Sequence, residues 1–226
     1  MGGARRGIAP AVRTDVVPRA GKCYADLSGN MHKYIIFGPQ GSGKGTQSEI
    51  LCLDHDFVHI SIGDLFRWHI DHHTKLAARI RRITSSGKLV PDEIVERVVR
   101  ERLELHDWNY GFVLDGFPRT RAQAEYLFEN WNVDKVIYLD IPDEVVHERV
   151  MERARKGEGG GFTKRADDNP GALTVRLREY HEKTRPLLDL YEARGLLVTV
   201  DANRAIKVVA EDIRTRLGLP DNPARA

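Results

Sequence analysis

The sequence predicts an α/β fold: a mostly parallel sheet of five strands with helices on both faces. Three observations predict it. Short apolar runs of strand length, rich in β-branched and aromatic residues, occur at 34–37, 57–60, 112–114, 136–141 and 197–200. Stretches of helical periodicity separate them, and parallel strands joined through crossover helices bury both faces of their sheet. The chain has 226 residues, 41% hydrophobic and 30% charged, which suffices for one α/β domain with insertions and excludes global disorder.

Residues 1–30 show no sustained period of two or of 3.6, and they carry Arg5, Arg6, Arg13, Arg19 and Lys22 against Asp15 and Asp26, a net +3. They read as a disordered N-terminal extension. An Arg-rich, acid-poor organelle transit peptide, a start codon placed early with Met31 as the working start, and an added extension all fit. Because the whole chain is +2, residues 31–226 carry −1, a near-neutral body that argues against a nucleic-acid partner. No apolar run approaches the roughly 20 residues that a membrane helix needs. Cys23 and Cys52 are too few for a disulfide framework and lack zinc-site spacing, which favours a reducing, cytoplasmic setting.

The strand at 34–37 leads through a glycine-rich loop into a helix over 46–53, and a second strand comes at 57–60. Helical stretches then run to a break at Gly87 and another before Pro91, whose fixed φ suits the first turn of a helix reaching about residue 105. The strands at 112–114 and 136–141 have the continuous apolar character of strands buried on both faces. Residues 143–155 read as a helix with Val145, Val146 and Val150 toward the body and Arg149 and Arg153 one turn apart. After a glycine-rich stretch at 157–161, one further helix carries Leu173, Leu177, Tyr180, Leu187 and Tyr191 in register, bent by Pro186, with Arg176 off the apolar stripe. The last strand is 197–200 and a closing helix covers 205–217.

Ligands of such sheets bind beyond the carboxyl ends of the strands, and the motifs fall there. Residues 38–44 read GPQGSGK, a G-x-x-x-x-G-K loop between a strand and a helix. Gly41, Ser42 and Gly43 let backbone N–H groups turn inward around phosphate oxygens, and Lys44 reaches the β and γ phosphates. Gly45 replaces the usual Ser or Thr after the lysine, and the hydroxyl comes one residue later at Thr46. Mg²⁺ is therefore expected to be held through phosphate oxygens and water, with Thr46 and Asp115 as helpers. Arg67, after the Gly63-Asp64 turn, is positioned to grip a phosphate bidentately. In Asp115-Gly116-Phe117-Pro118-Arg119 a carboxylate ends a buried strand and an arginine leads into the next helix. His69, His72 and His73 sit beside Asp71 without a second ligand pair and read as a solvated helix face, and Trp68 reads as packing.

Five motifs in order resemble the nucleoside monophosphate kinase family, nearest to its short-lid adenylate kinases: GPQGSGKGTQ (38–47), HISIGDLFR (59–67), GKLVPDEIV (87–95), GFVLDGFPRTRAQ (111–123) and RADDNPGALTVR (165–176). The resemblance spans about 34–217 and implies a P-loop NTPase-type core, a helical monophosphate-binding arm at about 61–90 and a short lid at about 154–166. It implies ATP with Mg²⁺ and AMP as ligands, a monomer, and no structural zinc, since the lid has no cysteine. By the same resemblance ATP is held by residues 41–46 with Arg149 and Arg153. The monophosphate is held by Ile62, Arg67, Lys88, Leu89 and Val90, by Gly116, Phe117, Pro118 and Arg119, and by Arg165 and Arg176. Gln123 reads its base by paired hydrogen bonds, and Asp115 orders Mg²⁺-bound water. Lys44, Arg119, Arg153, Arg165 and Arg176 then surround a phosphoryl group moving in line between the nucleotides.

Two residues depart from the resemblance. Ile62 stands where adenylate kinases usually carry threonine, which removes a hydroxyl beside the acceptor base, and Gln40 stands where the loop commonly has proline. UMP or CMP is thus an alternative acceptor to AMP, and a catalytically silent nucleotide-binding sensor is an alternative of another class.

Overall fold

A computed structural model of the protein describes residues 31–156 and 170–221. Strands β1 (Lys33–Phe37), β2 (Val58–Ser61), β3 (Phe112–Asp115), β4 (Lys135–Asp140) and β5 (Leu197–Asp201) form one sheet in the order β2-β3-β1-β4-β5, and every pairing is parallel. The expected five-stranded α/β architecture is the one observed. Helix α1 (Lys44–His55) comes after β1, and α2 (Ile62–Asp71), α3 (Ala77–Ser85) and α4 (Asp92–Glu104) lie between β2 and β3. Helix α5 (Arg121–Asn130) joins β3 to β4, α6 (Asp143–Lys156), α7 (Pro170–Glu179) and α8 (Leu187–Ala193) lie between β4 and β5, and α9 (Ile206–Arg216) closes the chain.

The strands read as near-continuous apolar runs because both faces are covered. Their period of two sorts the side chains: Ile35 and Phe37 pack with Leu114, Val136 and Val98 on one face, and Tyr34 and Ile36 with Val113, Ile137 and Val209 on the other. Each such buried side chain contributes about 1.5–3 kcal/mol through the hydrophobic effect. Hydroxyl caps fix two helix starts beside the carboxyl ends of the strands. Ser61 Oγ accepts from Asp64 N at 3.3 Å to start α2, and Thr120 Oγ1 accepts from Gln123 N at 3.3 Å to start α5.

One element differs from expectation. The single helix bent at Pro186 is instead α7, a π turn over Tyr180–Thr184, and α8. Arg185 N donates to Tyr180 O at 2.7 Å, five residues back, and Pro186 offers no N–H, so the ladder resumes with Leu188 N on Arg185 O at 3.0 Å. Before the turn Leu173 and Leu177 pack with the cluster that holds Tyr34 and Ile36, whereas Tyr180, Leu187 and Tyr191 pack with the cluster that holds Ile35 and Phe37. The expected N-terminal extension, the glycine-rich stretch at 157–161, Arg165 and most of the expected lid lie outside the described residues. Among the described residues no helix is long and apolar enough to cross a membrane.

Candidate active site

The central strand β1 ends at Phe37, and the chain turns through 38–43 into α1. Gly43 holds the N-cap position with φ +97, a left-handed conformation that suits glycine, and no side chain caps the helix. The first-turn N–H groups of an α-helix have no intrahelical acceptor, and together with the helix dipole they favour an anion at this end. Lys44 folds back over the loop, its Nζ donating to Gly38 O at 2.9 Å and Pro39 O at 2.8 Å. Ser42 is buried in the loop, and Thr46 is exposed one turn on.

Asp115 ends β3, level with Ile36 of β1 and Ser61 of β2. His59 Nε2 lies 3.9 Å from its Oδ2. Burial pushes the Asp115 carboxyl up, but His59, Lys44 and Arg119 together outweigh it and hold the group below the usual carboxylate range. Arg119 is anchored three ways: its N donates to Gln123 Oε1 at 2.8 Å, its Nε to Gly116 O at 2.9 Å, and its O accepts from Thr184 Oγ1 at 2.8 Å. Gly116 has φ +86, a left-handed conformation that favours glycine, and a Cβ there would stand 3.1 Å from Arg119 Nη2.

Arg176 on α7 reaches across the site. Its Nη1 donates to Gln40 Oε1 at 2.6 Å and its Nη2 to Thr84 O at 2.9 Å, joining the phosphate loop to the end of α3. Arg149 Nη2 donates to Ala202 O at 3.0 Å beyond β5. Arg153 is half-buried on the last turns of α6. Arg67 pairs with Asp64 of its own helix and is partly exposed. Along the acceptor side, Ile62, Val90, Phe117 and Pro118 are buried, Leu89 is half-buried and Lys88 is exposed. Gln123 is 1% exposed and donates from Nε2 to Asp92 Oδ1 at 2.6 Å.

The geometry therefore brings Lys44, Asp115 and Arg119 to the carboxyl ends of β1 and β3, with Arg176 bound to the loop from α7. Arg67 is turned toward its own helix. Sequence reasoning missed the residues that hold these side chains. His59 and Asp92 lie inside two of the five sequence motifs, so a signal for them is present. Thr184 depends on the π turn and has none. His69, His72 and His73 make local hydrogen bonds to Thr74 Oγ1, Trp68 O and Asp71 O, and among the described residues no three metal-ligating side chains converge.

A family model described as adenylate kinase matches residues 36–196. The chain belongs to the adenylate kinase family. It is 39% identical to the adenylate kinase of Bartonella tribocorum over 80% of this chain and 97% of the relative. It is 40% identical to that of a Cyanothece species, over 81% of this chain and 94% of the relative. For Bifidobacterium longum the identity is 42%, over 75% and 90%. The adenylate kinase family match runs from inside β1 to the residue before β5, so it takes in the phosphate loop, Asp115, Arg119, Gln123 and Arg176.

Proposed function

We propose that the protein is an ATP:AMP phosphotransferase, moving the γ-phosphoryl group of ATP to the phosphate of AMP to give two ADP. The observation that carries this reading is the meeting of an anion-binding loop, Lys44, Asp115 and Arg119 at the carboxyl ends of adjacent parallel strands, with Arg176 reaching the same loop. Two polyanions must approach each other, so the protein's work is positioning and charge neutralisation, and the transfer needs no covalent intermediate.

In this reading the N–H groups of residues 41–46 cradle the ATP phosphates, and Lys44 exchanges two backbone carbonyls for phosphate oxygens, which bind an ammonium more strongly. Arg149 and Arg153 lie on the ATP side. Arg67 and Arg119 grip the acceptor phosphate. Arg153, Arg165 and Arg176 complete the positive surround, and closure of the lid keeps water from taking the phosphoryl group. Ile62, the backbone at 88–90 and the Gly116-Phe117-Pro118 turn wall the acceptor nucleoside, and Gln123 reads its base. Mg²⁺ fits the donor chemistry: Asp115 is a carboxylate held in its ionised form and Thr46 adds a hydroxyl, hard oxygen donors for a hard cation. Asp115, through water, and Thr46 would hold Mg²⁺ together with ATP, and the ion would supply neutralisation of phosphate charge. The reading takes the protein as a cytoplasmic monomer, by its resemblance to the family, acting on free nucleotides, and the net −1 of residues 31–226 favours these over a nucleic acid.

A coupled assay of diphosphate formation with ATP and each of AMP, CMP, UMP and GMP tests the reading. AMP is expected to give the highest kcat/KM. Faster turnover of UMP or CMP assigns a pyrimidine acceptor instead, and tight nucleotide binding with no turnover assigns a sensor.

A further inference from the structure

We propose that Asp92 sets the base selectivity of the acceptor site by fixing which way round the Gln123 amide lies, so that the site takes bases with an amino edge (adenine, cytosine) and rejects those with a keto edge (guanine, uracil). The inference rests on the proposed function, in which Gln123 faces the acceptor base.

A glutamine amide is nearly symmetric in shape but opposite in hydrogen bonding at its two ends, so its orientation is decided by its neighbours. Here both neighbours can make only one kind of bond. Arg119 N–H only donates, and it faces Oε1 at 2.8 Å. An ionised Asp92 only accepts, and its Oδ1 faces Nε2 at 2.6 Å. The other oxygen of Asp92 accepts from Thr120 Oγ1 at 3.0 Å, and that same hydroxyl oxygen accepts from Gln123 N at 3.3 Å. Asp92, Thr120 and Gln123 thus close a ring in which every donor meets an acceptor. Because Gln123 is 1% exposed, a reversed amide would set donor against donor and acceptor against acceptor with no water to relieve it.

The ring uses one lone pair of Oε1 and one hydrogen of Nε2, which leaves one of each for a base. Adenine offers N6–H beside N1, and cytosine N4–H beside N3, in each case a donor next to an acceptor. Guanine and uracil offer a carbonyl beside an N–H, the same shape with the order reversed. A nucleotide anchored through its phosphate cannot turn its base over to compensate. The polarity of the Gln123 amide is therefore the choice between amino and keto bases, and Asp92 holds that polarity from the first turn of α4.

The test compares kcat/KM for the purine pair AMP and GMP, and for the pyrimidine pair CMP and UMP, in the wild type, Asp92→Ala, Asp92→Asn and Gln123→Ala. Asp92→Ala leaves the Arg119 N–H as the one remaining hold on the amide, and the AMP:GMP and CMP:UMP ratios are expected to fall about tenfold, mainly through a raised KM for the amino base. Asp92→Asn keeps a carbonyl oxygen for Nε2 and offers its own amide to Thr120, so its ratios stay within about threefold of the wild type. A ratio does not depend on how much of a variant folds, and a purely structural role for Asp92 lowers both members of a pair together. Unchanged ratios in Asp92→Ala, alongside a collapsed ratio in Gln123→Ala, overturn the role of Asp92 and leave Gln123 as the base reader. Unchanged ratios in Gln123→Ala overturn both.

Discussion

At the scale of single residues, Arg119 is the side chain most sharply tested, because its backbone is fastened independently of its guanidinium. Gln123 holds its N–H and Thr184 its carbonyl, so Arg119→Ala keeps both backbone anchors and loses the guanidinium with its hydrogen bond to Gly116 O. Turnover is expected to fall about 10²- to 10³-fold, as for other groups aimed at developing transition-state charge. The unfolding free energy from a urea titration should stay within about 1 kcal/mol of the wild type. Wild-type turnover in this variant rejects the assigned role. Thr184 is a positioning residue for the same arginine. Thr184→Val removes the buried hydroxyl from which the Arg119 carbonyl accepts, at a stability cost of about 1–2 kcal/mol, and it should lower kcat more than it raises KM. Thr184→Ser restores the hydroxyl and should restore kcat, a rescue that mere loss of packing does not predict.

At the scale of elements, Gly87 shows how tightly the end of α3 seats on α7. Its φ is +77, and a Cβ there would lie 2.4 Å from Ala172 O, a backbone atom that cannot rotate away. Gly87→Ala combines backbone strain with that clash and should cost about 2–3 kcal/mol, read from denaturant unfolding, with a raised KM for the acceptor because Thr84, which binds Arg176, lies on the same turn. Helix α9 carries a pH-dependent contribution. Asp212 accepts from Arg204 at 2.5 Å and from Arg216 at 2.6 Å. The Arg204 hydrogen bond, joined by that of Arg216, outweighs burial and lowers the carboxyl below its ordinary value. A folded-state value below the unfolded one means that this stabilisation is complete above about pH 4 and is lost as pH falls through the folded value. Asp212→Asn should thus flatten the acid side of the melting-temperature profile and leave catalysis unchanged. Much at this scale was legible: β-branched runs marked all five strands, and Pro91 marked the start of α4 to within a residue. The π turn was not legible, because Tyr180-His181-Glu182-Lys183-Thr184 has ordinary helical composition and its bulge is matched to a distant partner, the Arg119 carbonyl.

For the molecule as a whole, the same division explains what the sequence disclosed about the site. Lys44, Asp115 and Arg119 sit in contiguous motifs whose geometry is local, whereas the joining of Gln40, Arg176 and Thr84 spans three separated segments and appears only once the chain is folded. That joining ties the phosphate loop, α7 and the end of α3 into one cationic surround, and it leads to a prediction about the entire protein. A bisubstrate mimic, two adenosines joined through five phosphates, presents both nucleotides at once and should bind the native state alone. At a hundred times its dissociation constant it should stabilise the fold by about 2.7 kcal/mol. For a domain of this size that is a rise in melting temperature of about 5–10 °C. The attraction is between a polyanion and fixed cations, so the affinity should fall as salt is raised through the range where the Debye length drops below about 10 Å. In Lys44→Met, and again in Arg119→Ala, the shift at the same concentration should shrink, because each variant removes one cation facing the phosphate chain. A mimic that leaves the wild-type melting temperature unmoved at saturating concentration contradicts a site built to hold two nucleotides end to end, since no rearrangement of a single-nucleotide pocket avoids the thermodynamic linkage between binding and stability.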